Sequence, residues 1–130
     1  MRIGDLARET ETKVVTIRYY EKIGLLPVPE RSEGNYRSYD DDALQRLRFI
    51  RRCRGLGFTL GQVRELLELS TDVERPCNEV DRIARAHLTE VERKIADLQG
   101  LAYELRLISE RCNGAGTISD CRILAAISPG

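Results

Sequence analysis

The chain has a single histidine, His87, in 130 residues. A histidine-built metal centre is therefore excluded, and no nucleophile–base pairing stands out, which leaves little room for an enzyme. Net charge is also absent, because 21 basic residues balance 21 acidic ones. This excludes a globally basic nucleic-acid binder and an acidic disordered tail. No apolar run approaches the ~18–20 residues that span a bilayer. Arg2, Asp5, Arg8 and Glu9 interrupt the start, so no secretory signal is visible. The expected location is cytoplasmic, without membrane attachment. There, the four cysteines (Cys53, Cys77, Cys112 and Cys121) favour thiol or metal chemistry over structural disulfides.

What is present points to helices. The residues are 42% hydrophobic and 32% charged, a mixture that suits a soluble helical protein. Residues 3–10 and 14–22 predict two short helices joined by a tight turn, with Gly24 stopping the second. Pro27, Pro29 and the turn chemistry of Ser32-Glu33-Gly34-Asn35 interrupt the helical pattern. With the alternation of Tyr36-Arg37-Ser38-Tyr39, they predict a small β-wing over residues 25–39. Asp40-Asp41-Asp42 opens a helix running to about Leu56, with Leu44, Leu47, Phe49, Ile50 and Cys53 on its apolar face. Thr59 and Gln62 fit a capping box for a further helix carrying Leu60, Val63, Leu66 and Leu67.

The stretch 43–64 holds Arg46, Arg48, Arg51, Arg52, Arg54 and Arg64 and no acid. Such a patch suits nucleic-acid contact, and equally a solvated helix face. Beyond a linker at 70–76, a proline-free helix is expected from about Asn78 to Glu110. Leu88, Val91, Ile95, Leu98, Ala102 and Leu105 are spaced 3, 4, 3, 4 and 3, the pattern of a coiled-coil seam. At about 50 Å, such a helix is too long to bury its stripe against one small domain. A second copy of the chain is the simplest partner. The tail is expected to be a loop followed by a short apolar turn at Ile123, Leu124, Ala126 and Ile127.

In this order, TIRYYEKIGLL (16–26), RSEGNYRSY (31–39), LQRLRFIRRCRGLGFTL (44–60) and QVRELLEL (62–69) resemble the MerR family of bacterial transcriptional regulators. The resemblance spans essentially the whole chain. It implies a mainly α fold with a winged helix-turn-helix DNA-binding domain at 1–70. A linker and long antiparallel coiled-coil dimerisation helix follow at 71–111, then a metal-binding loop and short helix at 112–130. It also implies a homodimer on double-stranded promoter DNA, where an effector distorts an overlong spacer for RNA polymerase. Thr16, Arg18 and Tyr19 then lie on the recognition helix, with Tyr20 the packed member of the tyrosine pair. Tyr36 and Arg37 at the wing tip, with Arg31 and Arg54, become candidates for the DNA backbone.

Cys77 and Cys112 flank the long helix and cannot share a metal within one chain. In the antiparallel pair implied by the family, Cys77 of one protomer meets Cys112 and Cys121 of its partner. Cys112 and Cys121 enclose eight residues, in which Gly114 and Gly116 let the loop curl and Thr117 and Ser119 can satisfy amides. Three thiolates suit soft ions such as Hg(II), Pb(II) or Cd(II). Family sensors of monovalent ions lack the cysteine before the long helix, which favours a divalent effector. Zn(II) is weakened as an alternative, because the loop has neither the extra cysteine nor the histidine of the zinc branch. Asp120 is a potential oxygen donor. His87 is expected at a helix interface, and Cys53 in the core. A thiol redox sensor using Cys112 and Cys121 is a further alternative. A metal-binding detoxifier without DNA contact would leave the wing and the arginine helix unexplained.

Overall fold

The computed structural model describes residues 1–29, 38–112 and 114–128. It divides into two compact units, Met1–Val80 and Asp81–Gly130. The first is built from four helices: α1 (Ile3–Thr10), α2 (Val14–Lys22), α3 (Asp41–Gly55) and α4 (Leu60–Ser70). Each begins and ends where local chemistry dictates. The Asp5 carboxylate accepts the Arg2 backbone N–H at 3.0 Å, which closes the first turn of α1. That hydrogen bond, with Arg8 alongside, holds the Asp5 carboxyl below its usual range. Asp40 caps α3 by accepting the Ala43 N–H at 2.9 Å. Thr59 and Gln62 form the expected reciprocal box at α4, with hydrogen bonds of 2.9 and 3.1 Å.

Between α1 and α2 the chain reverses through Glu11, whose φ of 51° places it in the left-handed region. The adjacent Thr12 N–H then reaches back to the Ala7 carbonyl at 3.0 Å. α1 packs on both α2 and α3, and α3 packs on α4. Leu6, Ile17, Leu25, Leu26, Leu47, Ile50 and Val63 are fully buried and form the core. Buried polar groups are paired, as close packing demands. Thr10 donates to the Leu6 carbonyl at 2.7 Å, and the Tyr39 hydroxyl donates to the Glu21 carboxylate at 3.1 Å. Met1 and Tyr39 exchange backbone hydrogen bonds of 2.9 and 2.7 Å, one rung of an antiparallel ladder. The expected β-wing lies mostly outside the described residues, and its described flanks, 25–29 and 38–39, carry no strand.

The second unit contains nearly all of α5 (Asn78–Ser109), then a 3₁₀ turn (Ile118–Asp120) and the short α6 (Arg122–Ile127). α5 has 32 residues, or about 48 Å at 1.5 Å per residue. It continues through Gly100, whose helix cost of about 1 kcal/mol is spread over a long run of good helix formers. Pairs one turn apart, Asp81–Arg85 and Glu90–Arg93, reinforce its polar face. Its seam is uncovered: Leu88, Ile95, Leu98 and Leu105 are exposed, Leu98 by 63%. No helix among the described residues is long and apolar enough to cross a membrane.

Candidate DNA interface and cysteine loop

On α2 the residues at positions i, i+3, i+4 and i+7 from Val15 share one exposed face. They are Val15, Arg18, Tyr19 and Lys22. The opposite face buries Ile17, Tyr20 and Glu21. The tyrosine pair divides as its phase on the helix requires, with Tyr19 49% exposed and Tyr20 only 7%. Thr16 is half-buried at the edge of the exposed face. Val15 and Lys22 escaped the sequence reading, although their spacing from Arg18 and Tyr19 was the available signal. The exposed face thus carries two cations, a phenol and an aliphatic group, a suitable set for phosphates, base edges and thymine methyls.

The arginine stretch 43–64 does not act as one patch. Arg46 Nε donates to the Leu25 carbonyl at 2.6 Å, and Arg64 Nη2 to the Ile23 carbonyl at 2.5 Å. Arg54 Nη1 donates to the Phe58 carbonyl at 2.6 Å, bracing the α3–α4 turn. Arg54 thereby has one N–H engaged within the fold. Arg48 approaches Glu9 at 3.6 Å, and Arg51 and Arg52 are exposed on the same helix. The backbone-contact candidates Arg31, Tyr36 and Arg37 lie outside the described residues.

The cysteines also divide by environment. All four are free thiols. Cys53 is buried among the α3 core residues, as expected, and burial pushes its thiol up. Cys77 is exposed, in the linker one residue before α5. Cys112 is exposed three residues after α5, and Cys121 is half-buried just before α6. Cys112, Gly114, Gly116, Thr117, Asp120 and Cys121 help line an open concavity of about 790 Å³. Gly114 and Gly116 adopt φ of 80° and 92°, where a side chain would strain the backbone, so the loop curls through them. The Gly114 N–H donates to Cys112 Sγ at 3.4 Å, which fixes the position of that sulfur.

Two expectations change in the loop. The Thr117 and Ser119 hydroxyls bond to each other at 2.8 Å instead of to amides, because the 3₁₀ turn between them satisfies its own N–H groups. The Asp120 carboxylate accepts from Thr117 Oγ1 at 3.3 Å and packs beside Gly116. Among the described residues no three Cys, His, Asp or Glu side chains of one chain converge on a metal position. The loop therefore offers two thiols, and any further sulfur must come from elsewhere. His87 is half-buried on α5.

A model described as the MerR HTH family regulatory protein matches residues 1–70, and a second, described as MerR, DNA binding, matches residues 44–108. The chain belongs to the MerR family. MerR proteins are DNA-binding transcriptional regulators rather than enzymes, which fits the exposed α2 face. The HTH-type transcriptional regulator ZntR of Escherichia coli K12 is 43% identical over 131 residues, covering 99% of this chain and 93% of that protein. The mercuric resistance operon regulatory protein of Bacillus cereus is 37% identical over 126 residues, covering 97% and 96%. The crystal structure of the transcription regulator PbrR691 from Ralstonia metallidurans CH34, in complex with lead(II), superposes with a TM-score of 0.84. Its identity is 44%, covering 98% of this chain and 99% of that one.

Proposed function

We propose that this MerR-family chain is a homodimeric, metal-responsive regulator that activates heavy-metal resistance genes. Its effector is a soft divalent ion, Hg(II), Pb(II) or Cd(II). One observation carries the reading. α5 has an uncovered apolar seam, with a thiol immediately before its first residue and two thiols after its last. Pairing two such helices antiparallel covers both seams. It also sets Cys77 of one protomer beside Cys112 and Cys121 of the other, twice per dimer. A donor set of three sulfurs suits soft, thiophilic ions. Zn(II) is the weaker candidate, because the loop supplies no nitrogen donor and Asp120 is engaged by Thr117.

At the DNA, Thr16, Arg18 and Tyr19 of α2 enter the major groove, with Val15 and Lys22 on the same face. Arg31, Tyr36, Arg37 and the remaining donors of Arg54 hold the phosphate backbone. The switch is a population shift. Metal stabilises the activating arrangement only to the extent that it binds that arrangement more tightly than the resting one. RNA polymerase then engages the remodelled promoter.

The test is footprinting of the promoter with and without metal, alongside transcription across Hg(II), Pb(II), Cd(II) and Zn(II). Both forms of the dimer should protect the operator, with metal altering cleavage at its centre and raising transcription. Release of the DNA by metal would contradict activation, and induction by a thiol oxidant alone would favour the disulfide sensor.

A further inference from the structure

The turn that ends α2 is held in an unusual way. Helix α2 stops at Lys22, Ile23 caps it, and Gly24 turns left-handed at φ 81°. The Leu25 and Leu26 N–H groups return to the Tyr20 carbonyl at 2.9 and 3.2 Å. The side chains of Leu25 and Leu26 are buried, but apolar burial is non-directional and does not fix an angle. Direction comes from two guanidinium groups on two other helices. Arg64 of α4 donates to the Ile23 carbonyl at 2.5 Å, 41 residues away in sequence. Arg46 of α3 donates to the Leu25 carbonyl at 2.6 Å, 21 residues away. The Arg64 guanidinium also covers Gly24, with Nη1 3.6 Å from where a Cβ would stand. Positive charge is favoured at this end of a helix, where the carbonyl dipoles converge.

The packing gives these contacts a purpose. α2 packs on α1, and α1 packs on α3, which in turn carries α4. The two arginines therefore tie the end of α2 directly to the α3–α4 hairpin. We propose that Arg46 and Arg64 are positioning residues for sequence-specific DNA binding. They fix the angle of α2 against α3 and α4 without touching DNA. The inference rests on α2 being the recognition helix.

Arg46→Gln, Arg64→Gln, Arg64→Lys and Arg18→Ala dimers are compared with the native dimer on two duplexes. One is an operator selected by the native dimer from random-sequence DNA, and the other is an unrelated sequence. Binding is titrated at several salt concentrations, and thermal melting is followed in parallel. Loss of either clamp should weaken operator binding by about tenfold, the scale of one misplaced base contact. Binding to the unrelated duplex and the salt slope should stay native, and Arg64→Lys should recover part of the loss. A salt slope reduced by about 0.9 would make the arginine a phosphate contact and overturn the proposal. Native operator affinity would also overturn it, as would an equal loss on both duplexes with a lowered melting point. Should Arg46→Gln fail to fold, the exposed Arg64 carries the test. Native binding by Arg18→Ala would remove the recognition-helix reading itself. Weakened Arg18→Ala beside unaffected clamp variants would remove the clamp alone.

Discussion

Cys77→Ser is expected to leave operator binding at native strength while lowering affinity for Hg(II), Pb(II) or Cd(II) by about 100-fold or more. The induction of transcription should vanish with it. Cys77 is exposed in the linker before α5, so its replacement removes no core contact. A serine hydroxyl is a hard, neutral donor at neutral pH, and it cannot replace a soft thiolate. The measurement is thiolate-to-metal charge-transfer absorbance in competition with a chelator of known affinity, together with an operator titration. Native metal affinity in this variant would show that Cys112 and Cys121 suffice, and the three-sulfur site would fall. A disulfide sensor confined to the loop would survive the same change, so one variant separates the two readings.

Ile95→Asp combined with Leu98→Asp is expected to convert a dimer into a monomer. Both side chains are about half or more exposed in the isolated chain, and both lie on the seam. Burying one such side chain stabilises by about 1.5–3 kcal/mol, and the symmetric pairing counts each residue twice. Introducing four carboxylates into that seam replaces the gain with desolvation and like-charge repulsion. The dimer dissociation constant should therefore rise by about a thousandfold or more, read by sedimentation equilibrium. Operator affinity should fall by about 10²–10⁴, because two half-sites are no longer engaged by one linked molecule. A variant that remains dimeric would place the interface elsewhere and remove the basis for a shared metal site.

Local signals were written in the sequence in full. Asp40, Thr59 with Gln62, Gly24 and the seam spacing all act within a few residues, so helix limits could be read to within about a residue. The division of labour between Tyr19 and Tyr20 was likewise legible from helical phase. The arginines were not. Whether Arg46 or Arg64 faces DNA or a carbonyl depends on partners 21 and 41 residues distant, which no local pattern encodes. The thiol loop lay between these extremes. Its glycine turns followed from composition, but the Thr117–Ser119 pairing depended on a 3₁₀ turn that satisfies its own amides.

The burial of Cys53 has a practical consequence. Thiolates are the species that alkylating reagents attack, and this sulfur is both shielded and biased toward its protonated form. Iodoacetamide applied to the folded protein therefore marks the outer cysteines and spares the inner one. Intact-mass spectrometry then counts engaged sulfurs directly, in the wild-type chain, with the hidden cysteine serving as an internal standard for foldedness.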